Sequence, residues 1–120
     1  MKIERLSRGA LAKLLRGDVL EDGTCVIKFY SSNCHLCHGL QPTYEKIAEE
    51  YNDLHFFAFN VGDNPRITKM LEFKGVPTIS LIKVAKGIKP AVKKMKEPMK
   101  PDKKTWYTAE DIKNFIEKEK

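Results

Sequence analysis

The chain predicts an α/β fold, with a central mixed sheet of four to five strands flanked by helices. Two observations carry that expectation. Short apolar, β-rich runs alternate with helical repeats through the first two thirds of the sequence, the pattern of strands paired in parallel through helical crossovers. After them come two strand-like runs joined at Lys86-Gly87, which add an antiparallel hairpin, and a last amphipathic segment closes the chain.

Each element has its local reason. Residues from Met1 to Leu6 form a short first strand. Ser7 is placed to cap a helix carrying Ala10, Leu11, Leu14 and Leu15, which Gly17 stops. Asp22-Gly23 turns the chain into the run from Cys25 to Tyr30, and Ser31-Ser32-Asn33 is a polar bend. A helix follows to about Tyr51, with Leu40, Tyr44, Ile47 and Ala48 on one side and Pro42 inside it, where one backbone donor is lost and a kink is expected. His55 to Val61 reads as a buried strand. Asp63-Asn64-Pro65 starts a helix that packs through Ile67, Met70, Leu71 and Phe73 and ends with Gly75 in the C′ position. Val76 to Val84 and the stretch around Ala91 to Met95 make the hairpin. Residues 96–107, rich in lysine and proline, form an exposed loop. Thr108 and Asp111 have the spacing of a capping box for a final helix with Ile112, Phe115 and Ile116 inward.

A chain of 120 residues, 42% hydrophobic, can bury a core without disulfide staples, and residues 1–120 read as one domain. No apolar run reaches the roughly 20 residues that cross a bilayer. The start carries charge early and lacks a leader's apolar stretch, so a cytoplasmic, reducing setting is expected. The net charge of +6 is uneven: Lys83 to Lys104 holds nine lysines against two acids, and the rest is close to neutral. That stretch is a solvated face or an attractive surface for an acidic partner. It lacks arginine, and nucleic acid is not an expected partner.

The chemistry concentrates at Cys34-His35-Leu36-Cys37. Two thiols three apart at a helix start can close a small disulfide ring, and the helix N-terminus favours a thiolate on the first. This suits reversible thiol–disulfide exchange. With His38 the segment also satisfies CxxCH, the c-type haem attachment pattern, but haem leaves Val76-Pro77-Thr78 and the α/β order unexplained. A zinc site would need Cys25, which strand and bend hold on the order of 25 Å from Cys34. No metal or other cofactor is expected.

Taken together, the strand before the dithiol, Pro42 five residues after Cys37, Asp63-Asn64-Pro65, Gly75-Val76-Pro77-Thr78 and the closing helix resemble a thioredoxin, from roughly Ile3 to Glu117. Glutaredoxins fit poorly: 33 residues precede Cys34, and no Gly-Gly pair precedes the last helix. The resemblance implies a thioredoxin fold and a protein disulfide oxidoreductase. It makes Cys34 the nucleophile and Cys37 the resolving thiol. It makes Pro77 a cis-proline, with Val76 pairing to an extended substrate. Protein disulfides are then the substrates, a separate reductase or small thiol recycles the pair, and a monomer is expected.

Four departures from the family stand out. Asn33 replaces the usual tryptophan before the first cysteine, making the substrate rim polar. His35-Leu36 replaces Gly-Pro, and a protonated His35 beside Cys34 stabilises its thiolate and raises the reduction potential. Lys28 stands where thioredoxins carry a buried acid, with Ala58 in place of its lysine neighbour. Lys28 then either favours a thiolate at Cys37 or snorkels to the edge. The loop 96–107 is an insertion, a partner-docking site or a solvated extension. It keeps open a second reading, a thioredoxin-fold binding module working through its lysine-rich surface.

Overall fold

The computed structural model describes residues 3–72 and 74–120; Met1 and Lys2 of the expected first strand and Phe73 of the expected helix lie outside them. The elements run β1 (Ile3–Arg5), α1 (Arg8–Arg16), β2 (Gly23–Tyr30), α2 (His35–Glu50), β3 (His55–Asn60), α3 (Ile67–Met70), β4 (Thr78–Ala85), β5 (Ile88–Lys94) and α4 (Ala109–Glu119). The five-stranded sheet is ordered β1-β3-β2-β4-β5. Its first three strands pair in parallel, and β4 and β5 are antiparallel additions.

The period of two along β2 sorts its side chains between two cores. Val26 faces α2 and α4, joining Leu40, Tyr44, Ile47, Ile112 and Ile116. Ile27 and Phe29 face the other way, joining Leu11 of α1 and Ile67 of α3. Lys28 therefore projects from the Val26 face, toward α2. The hydroxyl of Tyr44 lies 3.1 Å from the carbonyl of Val26 and 2.7 Å from that of Phe57, which ties α2 to the sheet.

The caps follow local chemistry. The Ser7 side chain accepts a hydrogen bond from the Ala10 N–H, and Gly17, at φ 72°, ends α1. The box between Thr108 and Asp111 is closed in both directions. Helix α2 runs through Pro42 from His35 to Glu50.

The segment after β3 departs from expectation. Asp63-Asn64-Pro65 does not start the helix. The Asn60 side chain accepts from the Gly62 N–H instead, capping a single 3-10 turn at Val61–Asp63. Helix α3 begins only at Ile67 and lasts four residues. Met70 is exposed rather than packed. Gly75 is not the left-handed terminator; Glu72, at φ 58°, holds that conformation. Its carbonyl and that of Leu71 both accept from the Lys94 ammonium of β5, and these bonds hold the turn against the neighbouring strand. The hairpin's second strand starts three residues earlier than expected, at Ile88, and β4 starts two residues later, at Thr78.

The loop 96–107 is folded rather than simply solvated. Asp102 and Trp106 exchange backbone hydrogen bonds, and the Asp102 carboxylate accepts from the N–H groups of Lys104 (2.8 Å) and Thr105 (3.1 Å). These bonds hold its carboxyl below the usual range. Trp106 sits at φ 65°, which a bulky side chain tolerates only where its surroundings over-determine it. Tyr107 is buried in the α2–α4 core. The Lys104 carbonyl packs so closely on Gly39 of α2 that a methyl group there would collide with it.

Candidate active site

Cys34 is the N-cap of α2, and its Sγ accepts from the Cys37 N–H at 3.0 Å. The two cysteines are joined in a disulfide with their Cα atoms 5.2 Å apart. Cys34 is half-buried, whereas Cys37, one turn into the helix, is only 2% exposed. The outer sulfur is thus the accessible one, and it lies where the free N–H groups and dipole of α2 favour negative charge. His35, the first helical residue, and Asn33, in the bend before it, are both exposed. His38 is exposed too, with Nε2 3.0 Å from the carbonyl oxygen of Ser32, which secures the bend to the helix. Ser32 Oγ in turn accepts from the Asn60 amide at the end of β3.

The register of the sheet brings the second chain segment to this end. Phe29 pairs with Thr78. Val76 and Pro77 therefore lie just beyond the end of β2 from which the chain leaves for Cys34. Their peptide bond is cis; Pro77 is buried and Val76 half-buried.

Behind the dithiol lies Lys28, only 2% exposed, so it does not snorkel to the edge. Its ammonium donates to the Gln41 side-chain carbonyl, and the Gln41 amide donates onward to Glu45 at 3.1 Å. The rings of Tyr44 and Tyr30 have their centroids 5.3 and 5.7 Å from Lys28 Nζ. Burial pulls the Lys28 pKa down to about 8, against a smaller upward pull from Glu45. Lys28, Gln41, Tyr30 and Cys37 line one cavity of about 250 Å³. Gln41 was not singled out from the sequence. Its signal was the stripe Cys37, Gln41, Glu45 at intervals of four, one face of the helix.

Cys25 is free and buried, and burial raises its pKa to about 11. Among the described residues, no three His, Cys, Asp or Glu side chains are grouped so that they could hold a metal ion. No described helix is long and apolar enough to cross a membrane.

A helix N-terminus that presents one accessible and one buried sulfur has the geometry that dithiol–disulfide exchange needs. The thioredoxin family model matches residues 12–106, and the chain belongs to that family. A thioredoxin of Acidithiobacillus ferridurans is 35% identical over 71 residues, 58% of this chain and 66% of the relative. The mitochondrial thioredoxin-3 of Saccharomyces cerevisiae is 32% identical over 66 residues, 55% of this chain and 52% of the relative. The matched stretches thus cover between about half and two thirds of these relatives. In overall fold, the crystal structure of oxidised mitochondrial thioredoxin 3 from Saccharomyces cerevisiae matches 97% of this chain and 94% of its own, with TM-score 0.68 and 22% identity.

Proposed function

We propose that this chain is a thiol–disulfide oxidoreductase that exchanges electrons with protein disulfides through Cys34 and Cys37. The observation that carries the reading is the paired cysteines at the start of α2, with Cys34 accessible and Cys37 buried. In the reducing direction the Cys34 thiolate attacks one sulfur of a substrate disulfide, and the other sulfur leaves as a thiolate and takes a proton. Cys37, deprotonated, then attacks Cys34 Sγ and releases the second substrate thiol. Two electrons and two protons pass to the substrate, and Cys34–Cys37 is left oxidised. A separate reductase or small thiol reduces it again, and a cytoplasmic setting supplies either.

The turn at Val76-Pro77 receives the substrate backbone in extended form, and Asn33 forms the polar rim on the other side. His35 favours the Cys34 thiolate when protonated. Lys28 serves Cys37. As an ammonium it stabilises a thiolate there, and as a neutral amine it accepts the proton through the cavity both residues line. A pKa of about 8 leaves both forms present near neutrality. The binding-module reading explains the lysine-rich surface but not the buried second thiol, and is not favoured.

A redox titration in glutathione buffers, with alkylation and intact mass, tests the core of this reading. Cys34 and Cys37 are expected to convert together in one two-electron step while Cys25 stays apart. A midpoint near about −270 mV makes the protein a reductant, and a markedly higher one an exchanger or oxidant. Failure to form the disulfide across the range refutes the reading.

A further inference from the structure

A second cavity, about 610 Å³, opens beside the Val76–Pro77 turn. This lies within the about 300–1,000 Å³ usual for ligand clefts. Its apolar walls are Val76, Pro77, Met95 and Trp106, drawn from the cis-proline turn, the end of β5 and the folded loop. Lys74 and Lys96 stand on its rim, both exposed. Lys94 also lines it but is committed to the Leu71 and Glu72 carbonyls. Two acids, Glu72 and Glu97, share the lining. In the flanking chain segments Lys93, Lys100, Lys103 and Lys104 are exposed as well, while Lys83, Lys86 and Lys89 lie toward the other end of the β4–β5 hairpin, and Glu97 is one of only two acids in 83–104. The other, Asp102, turns its carboxylate onto the loop's own N–H groups.

We propose that this groove seats an acidic client segment, one carrying a large apolar side chain beside its carboxylates, as the chain leads away from the disulfide under attack. The proposal rests on the exchange reading above and adds the substrate class. Continuity with the Val76–Pro77 turn places the groove along the path of a bound client. Trp106 and Met95 supply surface for an apolar anchor, while Lys74 and Lys96 on the rim, joined by the lysines of the adjoining loop, draw carboxylates and repel basic segments. The loop supplies one wall and is locked in place by Asp102 and by its packing on Gly39.

The test uses peptides of equal length, each with one aromatic residue and one cysteine disulfide-linked to a chromogenic aromatic thiol. The residues flanking the cysteine are acidic, neutral or basic. Each turnover oxidises the Cys34–Cys37 dithiol and releases one peptide thiol and one coloured thiolate. The acidic peptide is expected to react about 10-fold faster than the basic one at low salt, narrowing to about twofold when salt is raised. Lys74→Glu with Lys96→Glu should invert the order, and the neutral Lys96→Gln should fall between. Trp106→Ala should slow the acidic aromatic peptide about 5- to 10-fold relative to a matched peptide with alanine in place of the aromatic residue. Equal rates for acidic and basic peptides, or an order unmoved by charge reversal, overturn the proposal. So does a single-stranded oligonucleotide that blocks acidic-peptide turnover at physiological salt, because it would assign the groove to nucleic acid. A small aromatic disulfide separates the two levels. If the wild-type protein reduces it yet treats the peptides alike, only the groove proposal fails; if it is not reduced, the exchange reading fails and this one with it.

Discussion

The dithiol has two sides that differ in almost every physical respect. The inner side is a small cavity between α2 and the sheet, where one amine is stripped of solvent and held by a chain of side-chain hydrogen bonds. The outer side is a wider groove with apolar walls, set in a field of solvated lysines. Low dielectric on the inside makes a single charge matter greatly. Outside, water screens each charge, and only their number tells. Lys28 marks the inner side and the 96–107 loop the outer. We read the first as adjusting proton transfer and the second as choosing the client.

The sharpest way to break this picture is at the sulfurs. Cys34→Ser is expected to reduce exchange by about 10³-fold or more, since no other accessible thiol can start it. Cys37→Ser should instead accumulate mixed disulfides, seen as added mass that a small thiol removes. Equal trapping by both variants would undo the assignment of roles.

Gly39→Ala tests the outer wall. Alanine is favoured over glycine in a helix by about 1 kcal/mol. Here its methyl meets the Lys104 backbone, and overpacking costs about 1–3 kcal/mol or more. The expected net result is a loss of about 2 kcal/mol in urea unfolding, or a displaced loop with loss of preference among peptides. A rise in stability with unchanged selectivity would show that the loop does not depend on this contact.

Lys28→Met tests the inner side. In the folded protein the Lys28 pKa lies below its unfolded value, so between about pH 8 and 10.5 the unfolded chain binds more protons and stability rises with pH. At neutral pH the buried ammonium is therefore a net cost of about 3 kcal/mol. Removing it also deprives Gln41 of its donor, worth about 1 kcal/mol. We expect Lys28→Met to be about 2 kcal/mol more stable at pH 7, with the gap closing as pH approaches 9.5. With Lys28 as proton acceptor, breakdown of the mixed disulfide is expected to rise near pH 8 in the unaltered protein and to lose that rise in Lys28→Met. A gap that stays constant with pH would place the amine in solvent.

The smallest effect is expected at the join between loop and last helix. Thr108→Ala removes the side chain that accepts from the Asp111 N–H and should cost about 1 kcal/mol. Its partner bond, from the Thr108 N–H to Asp111, stays possible, so selectivity among peptides should hold.

The elements legible in the sequence were those fixed by local rules. The run from Cys25 to Tyr30 had no other reading, and Ser7, Gly17 and Thr108 act through neighbours within a few residues. The segment after β3 was misread because two side chains competed to cap it. Asn60, bonding two residues on to Gly62, starts its turn before Asp63 or Asn64 can, and helix α3 forms only from Ile67 to Met70. The dithiol was readable from its spacing, but its surroundings were not. Lys28 meets Gln41 across 13 residues, and Lys94 meets Glu72 across 22. Nothing in either residue's local pattern marks such distant partners. The loop held a partial clue in Asp102, three residues before a threonine, a spacing typical of a side chain that closes its own turn. Its docking on Gly39 had no local sign beyond a glycine inside a helix.

The third cysteine has a use that its chemistry hides. Cys25 lies in the strand flanked on both sides by others, is buried, and keeps its proton well above neutrality. A reagent in solution reaches it only when the sheet itself opens, so its slow labelling, timed by mass, measures how often the whole scaffold comes apart. The molecule carries its own unfolding clock in the strand that leads to its working sulfurs, nine residues before Cys34. Because that clock does not depend on catalysis, it can tell a variant that has lost its chemistry from one that has lost its fold.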